Sequence, residues 1–153
     1  MTTPPLDGIR ALAGLGPEAR DRIAALAHPV RFAAGEHVFH EGGEARSCWL
    51  LQEGRVDLYT VVPGRGQVTL DTFVDGDVLG WSWLTPPYRW HYGAVAAAAT
   101  SALEVDAAGL QALSEADAEF GYTVMRALFG ALLERLQATR ARLLDLYAGP
   151  DVR

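Results

Sequence analysis

Lysine is absent from this 153-residue chain, and cysteine occurs once, as Cys48. All 13 basic residues are therefore arginine, and with 19 acidic residues they leave a formal charge of −6. Binding to a phosphate backbone relies on clustered basic side chains, so direct DNA binding is not expected. One cysteine cannot close an internal disulfide, which is typical of a reducing compartment. Cys48 itself is predicted to be a small buried strand residue.

Long apolar runs are also missing. No uncharged apolar stretch reaches the roughly 18 residues that suggest a membrane span, and the start of the chain, MTTPP, lacks the basic and apolar regions of a signal peptide. These absences predict a cytoplasmic protein that makes no contact with a membrane. Half of the residues are hydrophobic, which is enough for one core. The chain is therefore predicted to form a single domain over residues 1–153.

The period of the hydrophobic pattern changes twice along the chain. Residues 1–28 have apolar positions at helical spacing, which predicts short helices over residues 6–15 and 17–27. Residues 29–106 contain eight short apolar runs separated by Gly, Asp or Pro, a pattern that predicts an eight-stranded antiparallel β-roll or jelly roll. The overall class is α+β, mainly β. The strand candidates are residues 30–32, 37–39, 48–51, 56–62, 68–73, 78–79, 90–98 and 102–105.

Residues 107–148 return to a helical pattern. A short helix is predicted over residues 107–113 and a long one over residues 116–148, which ends before Gly149-Pro150. Apolar residues at alternating spacings of three and four form a stripe that is typical of a coiled coil, and a second apolar face accompanies it. One helix cannot bury both faces against its own domain. The alternative is that the stripe simply packs on the β-core. We expect a homodimer through the stripe, which consists of Tyr122, Met125, Phe129, Leu132, Leu136, Leu143 and Leu146.

An aromatic segment lies between the sixth and seventh strand candidates. Residues 76–91 hold three of the four tryptophans, two adjacent prolines and one arginine. So many rings indicate either a ligand pocket, a surface for a protein partner, or the closure of a core. The candidate pocket residues are Gly80, Trp81, Ser82, Trp83, Arg89, His91, Tyr92 and Gly93.

Several motifs resemble the cyclic-nucleotide-binding domain of Crp/Fnr-type regulators. The run FAAGEHVFHEG, at residues 32–42, is similar to that family's opening strand pair. Residues 50–59 are similar to its next hairpin, with Gly54 at the turn. Residues 73–80 resemble the approach to its phosphate-binding cassette, and residues 103–106 the strand that leaves it. The order of elements agrees, including a long dimerising helix. The resemblance implies a non-enzymatic regulatory domain.

The cassette departs from the pattern of that family. There, a glutamate after a glycine accepts from the ribose hydroxyl, and an Arg-Ser or Arg-Thr pair binds the cyclic phosphate. Here Gly80 keeps its place, but Trp81 stands for the glutamate and Tyr92-Gly93 for the pair. Neither tyrosine nor glycine can balance a buried phosphate charge. We therefore expect no cofactor and no ordinary binding of cAMP or cGMP.

Other ligands and activities stay open at this stage. An unidentified small molecule is one alternative, and an anion or atypical cyclic nucleotide held by Arg89, about three residues before the expected arginine, is another. The DNA-binding members of the family continue into a helix-turn-helix, whereas this chain ends at Arg153, so transcription-factor activity is not expected.

A metal-dependent, cupin-like enzyme is the third alternative. Such an enzyme needs convergent ligands, and His37 and His40 should face opposite sides of a strand, so no metal site is predicted. Ser82 lacks the second glycine of a Gly-x-Ser-x-Gly elbow, so no catalytic residue is predicted either.

Overall fold

The computed structural model of the protein describes residues 5–148, in which eight strands form two four-stranded antiparallel sheets. One sheet has the order β1-β8-β3-β6 and the other β2-β7-β4-β5. The predicted α+β class and the eight-stranded antiparallel β-roll are confirmed. The strands are β1 (Ala27–Phe32), β2 (His37–Phe39), β3 (Ser47–Glu53), β4 (Arg55–Val62), β5 (Gly66–Val74), β6 (Val78–Leu79), β7 (Gly93–Ala96) and β8 (Thr100–Asp106).

The aromatic segment connects the two sheets. It leaves β6 at the edge of one sheet and returns as β7, which lies between β2 and β4 in the other. Strand β4 also pairs with β5 in a long hairpin, in which Val62 lies opposite Gly66. The segment therefore crosses an open end of the roll, next to β4 and β5. We call residues 80–92 the cassette loop.

The core between the sheets is rich in stacked rings. The Phe39 ring lies 3.9 Å from that of Trp90 and 5.5 Å from that of Trp49, measured between centroids. Cys48 on β3 is 3% exposed. Burial, with a smaller contribution from the charge of Glu104, raises the pKa of its thiol to about 12. The sequence expectation of a buried strand cysteine agrees with this position.

The beginning of the chain differs from the prediction. Residues 6–15 do not form an α-helix; they contain a 3-10 turn at Arg10–Leu12. The buried residues Leu6, Ile9, Leu12 and Leu15 recur every three positions, which matches the three residues per turn of a 3-10 helix rather than the 3.6 of an α-helix. The second predicted helix is present as α1 (Pro17–Ala24). Strand β1 begins within the segment assigned to helices, at Ala27.

The two C-terminal helices are confirmed as α2 (Ala107–Ala116) and α3 (Ala118–Ala148). Asp106 caps α2, since its carboxylate accepts from the Gly109 N–H at 3.0 Å. The predicted stop at residues 149–150 lies outside the described residues. Within residues 5–148 no helix is both long enough and apolar enough to cross a membrane. The assignment of residues 1–153 to one domain stays a prediction.

Helix α3 divides its apolar residues between two environments. Phe120, Val124 and Leu128 are buried against the roll and α2. Of the seven stripe residues, only Met125 packs partly on the core. The other six are exposed, and they are Tyr122, Phe129, Leu132, Leu136, Leu143 and Leu146. The stripe is therefore not covered by its own β-roll.

A charge pair joins the start of α3 to α1. The Arg22 guanidinium donates to Asp117 at 2.8 Å, and this bond, followed by the Phe120 N–H, holds the pKa of Asp117 below its ordinary value. A carboxyl whose pKa is lowered on folding stabilises the fold above its unfolded pKa, and that contribution is lost as pH falls through the folded pKa.

We expect Asp117→Asn to be less stable than the wild type at neutral pH and to match it in strong acid. Asparagine keeps an acceptor for the Phe120 N–H, so the change removes only the charged hydrogen bond with Arg22. Urea unfolding at about pH 7 and about pH 3 measures the difference, because an unperturbed Asp titrates near 3.9. The control is Asp21→Asn, at an exposed position of α1. A deficit that persists undiminished in acid would contradict the assignment.

Candidate ligand cavity

The cassette loop is held in place by backbone hydrogen bonds at both ends. A 3-10 turn spans Ser82–Leu84, and the Tyr88 N–H donates to the Thr85 carbonyl at 2.9 Å. The loop then pairs with the turn after β2, where the Trp90 N–H donates to the Gly43 carbonyl at 2.9 Å. These bonds fix which rings of the loop point into the roll.

Trp83 is a core residue rather than part of a pocket. Its indole N–H donates to the Gly80 carbonyl at 3.1 Å, and its own carbonyl accepts from the Gln111 side chain at 2.7 Å. The ring is 2% exposed. Trp83 therefore fastens the loop to α2.

Beside these rings lies a cavity of about 220 Å³ between the cassette loop and the strands. Most of its wall is aromatic or aliphatic, and no arginine, aspartate or glutamate lines it. Its lining residues are Phe39, Leu58, Phe73, Leu79, Gly80, Trp81, Ser82, Trp90, His91 and Tyr92. The arrangement can therefore hold an uncharged molecule, but it presents no arginine to balance the charge of a phosphate.

The polar groups of the cavity lie on the cassette loop. The Ser82 hydroxyl and the His91 Nδ1 atom are 3.3 Å apart, and this pair is exposed. The Trp81 indole nitrogen is buried and has no hydrogen-bond partner within the part of the chain that the structure describes. The Trp81 ring also lines a groove of about 350 Å³ beside α3. Trp81 therefore forms the wall between the cavity and this groove.

Arg89 lies apart from the cavity. Its guanidinium donates to the Gly42 carbonyl at 3.0 Å, and its backbone forms an isolated bridge with Glu44. Arg89 is exposed and does not line the cavity. This contact holds the loop to the turn after β2 and leaves the cavity without a cation.

The residues predicted for a pocket are thus only partly brought together. Gly80, Trp81, Ser82, His91 and Tyr92 line the cavity. Trp83, Arg89 and Gly93 do not. Sequence reasoning missed the contributions of the neighbouring strands, which are Phe39, Leu58, Phe73 and Leu79, and did not count Trp90 of the loop among the candidate residues. Their apolar character in strand candidates was a signal for burial, but the order of strands is needed to place them beside the loop.

The expectation that His37 and His40 face opposite sides of a strand is wrong. The rings of His37 and His40 stack, with centroids 4.4 Å apart and planes inclined by 19°. Strand β2 ends at Phe39, and its pairing with β7 shifts register between His37 and Phe39, so the alternation of sides fails there. Over residues 5–148 no group of three or more His, Cys, Asp or Glu side chains could hold a metal.

A family model for the cyclic nucleotide-binding domain matches residues 29–117, more than half of the chain. The chain belongs to this family. The resemblance to Crp/Fnr-type domains is thereby confirmed, and the family is regulatory and generally non-enzymatic. No curated protein matches the sequence.

Solved structures of the family share the fold. A candidate cyclic nucleotide-binding protein of Geobacter metallireducens GS-15 is 29% identical, with a TM-score of 0.75 over 84% of this chain and 92% of that one. The catabolite activator protein of Thermus thermophilus is 23% identical, with a TM-score of 0.70 over 88% and 61%.

A third structure is the regulatory subunit of a cAMP-independent protein kinase A from Trypanosoma brucei, as a triple mutant bound to cAMP. It is 20% identical, with a TM-score of 0.61 over 67% of this chain and 38% of that one. The likeness to these last two proteins shows the fold alone.

Gly93, at the position where the resemblance to the family implies serine or threonine, lies against a buried ring. A Cβ atom built on Gly93 would lie 2.3 Å from the Tyr59 ring. Tyr59 is buried on β4, and β4 pairs Tyr59 with Gly93. The Tyr59 ring thus occupies the space in which a side chain at position 93 would lie.

A charged contact joins α3 to the strand next to the cavity. The Arg135 guanidinium donates to Asp71 at 2.7 Å and to Asp77 at 2.9 Å. Its central carbon also lies 3.4 Å from the centroid of the Phe73 ring, and that ring lines the cavity. Arg135 therefore reaches from α3 across to the roll. Helix α3 and the cavity wall are therefore in direct contact.

Proposed function

We propose that the chain is a non-enzymatic regulatory domain of the cyclic nucleotide-binding family that does not recognise cAMP or cGMP in the usual way. The observation that carries this proposal is the lining of the cavity, in which no arginine is present. Trp81 and Tyr92 line it at positions where the resemblance to the family implies a glutamate and an arginine. Burying a cyclic phosphate without a positive partner costs several kcal/mol. The domain would respond to another small molecule instead.

The position of Arg89 argues against an anion site of the same kind. Its guanidinium lies on the Gly42 carbonyl, on the outside of the loop. The Trypanosoma brucei subunit provides a parallel, because it is described as cAMP-independent, and three substitutions, one of them to arginine, accompany its structure with cAMP.

Calorimetry with cAMP and cGMP tests this proposal. We expect no saturable heat for the wild type or for Arg89→Ala. We expect the double variant Trp81→Glu and Tyr92→Arg to gain binding, because glutamate frees the volume of an indole and the arginine supplies charge at the cavity mouth. Micromolar binding by the wild type that disappears in Arg89→Ala would overturn the proposal. Failure of the double variant to bind would show that these two side chains do not exclude the nucleotide.

We further propose that the domain forms a homodimer through α3. Six apolar stripe residues are exposed along the helix, and a contiguous apolar surface on a protein commonly marks an interface. The stripe has the spacing at which two helices pack side by side. A different protein partner with a similar apolar helix would use the same surface. With a net charge of −6, DNA is not proposed as a partner.

We expect Leu136→Glu to be monomeric and Gln137→Glu to remain dimeric. Both positions are exposed on α3 and differ by one residue, but only Leu136, which is 43% exposed, belongs to the stripe. The same charge is therefore placed inside and outside the proposed interface. Light scattering after size exclusion measures the mass. A wild-type monomer at high micromolar concentration would contradict the dimer.

A further inference from the structure

We infer that the cavity takes a small, neutral, planar aromatic molecule that carries one hydroxyl or carbonyl group. The inference rests on the proposed function, because it requires that the cavity not hold a cyclic nucleotide. It is carried by four properties of the cavity: its ring walls, its volume, its lack of arginine, aspartate and glutamate, and the Ser82–His91 pair at one side.

The walls favour a flat ring. Five aromatic side chains face the cavity, from β2, β5 and the cassette loop: Phe39, Phe73, Trp81, Trp90 and Tyr92. The Phe39 and Trp90 rings are already nearly parallel, with planes inclined by 14°. Aromatic faces and edges attract another ring through their quadrupoles as well as through buried area. An aliphatic molecule of equal size would gain only the buried area.

The volume limits the ligand to one substituted ring or two fused rings. At about 220 Å³ the cavity is smaller than usual small-molecule sites, which span roughly 300–1,000 Å³. It is larger than the apolar cavity of about 150 Å³ that binds benzene. A molecule of about nine non-hydrogen atoms matches this range.

The polarity of the lining sets the charge and the orientation of the ligand. No arginine, aspartate or glutamate lines the cavity, so an ionised ligand would lose its hydration without gaining a salt bridge. The Ser82 hydroxyl and the His91 ring, which are 3.3 Å apart and exposed, both belong to the lining. A hydroxyl or carbonyl oxygen on the ligand would bond to this pair, and the ring would point inward.

Three neutral probes of matched size and one small anion test the assignment on the full chain: 4-methylphenol, p-xylene, 4-methylcyclohexanol and benzoate. Indole N–H resonances in NMR report binding, because of the four tryptophans only Trp81 and Trp90 line the cavity. We expect 4-methylphenol to bind most tightly, with p-xylene roughly threefold to tenfold weaker for the loss of one hydrogen bond. The anion should not bind.

Two variants separate this site from nonspecific binding. Ser82→Ala should bring the affinity for 4-methylphenol down to that for p-xylene. Ser114→Ala, whose hydroxyl instead donates to the Leu110 carbonyl within α2, should leave it unchanged.

Absence of 4-methylphenol binding would overturn the inference. So would equal binding of 4-methylcyclohexanol, binding of the anion, or an affinity that Ser82→Ala does not alter. Each of these results leaves the exclusion of cAMP intact. Binding of cAMP by the wild type would instead contradict the proposed function, on which this inference rests.

Discussion

Replacement of Trp83 by alanine should lower the free energy of unfolding by about 3–5 kcal/mol, the range for large-to-small changes of buried aromatic residues. Trp83 is 2% exposed, and its indole N–H donates a hydrogen bond to the Gly80 carbonyl, with 3.1 Å between nitrogen and oxygen. Alanine would leave a cavity where the cassette loop meets α2 and would also leave the Gly80 carbonyl without that donor. The bond from Gln111 to the backbone carbonyl of residue 83 would remain, so the loss reports the packing of the ring and its indole N–H bond.

Urea unfolding followed by circular dichroism measures this loss. Trp83→Phe keeps a ring but removes the indole N–H, so an intermediate loss is expected. Tyr147→Ala is the control, since Tyr147 is 83% exposed on α3, and surface changes of this kind stay within about 0.5 kcal/mol. If Trp83→Ala were as stable as Tyr147→Ala, the ring would not anchor the loop.

Replacement of Gly54 by alanine should cost about 3 kcal/mol, as the sum of backbone strain and overpacking. Gly54 has a φ of +127°, and a Cβ atom there would lie 2.6 Å from the Thr100 Cα and 2.8 Å from the Ala99 carbonyl oxygen. Both are backbone atoms, one at the start of β8 and one just before it, and they cannot turn aside. The change therefore forces the β3–β4 turn away from the start of β8.

Gly42→Ala separates the two contributions. Gly42 also has a positive φ, +85°, but a Cβ atom there would meet nothing within 4 Å. It should lose only the strain of a left-handed residue, about 1 kcal/mol. Both variants are compared by the same urea titration. Equal losses at the two positions would mean that the approach of β8 to Gly54 contributes nothing.

The sequence was sufficient for the fold where local patterns agree with tertiary packing. Even the two-residue strand β6 was predicted, because Val78 and Leu79 lie between turn residues and are apolar on both faces. The failure over residues 6–15 has the opposite cause. Apolar residues at every third position are compatible with an α-helix as well as with a 3-10 helix. Only contacts with α3 and the roll select the 3-10 form.

The sequence predicted where the candidate site lies but not all of the residues that line it. Strand order brings Phe39 and Phe73 beside the cassette loop, and such pairings between distant segments leave no periodic signal in one sequence. The orientation of Arg89 depends on a bond to the Gly42 carbonyl, 47 residues earlier in the chain. The stacked rings of His37 and His40 depend on a register shift in β2 that alternation alone could not predict.

The rate at which the single thiol of the chain is alkylated reports how readily the roll opens. Only the thiolate attacks an alkylating reagent, and Cys48 is 3% exposed with a pKa raised to about 12. Cys48 can therefore be labelled only when β3 separates from its neighbouring strands. With one cysteine in the sequence, every labelled molecule counts one opening of the roll. The rate of mass increase under native conditions would thus rank the Trp83 and Gly54 variants without denaturant.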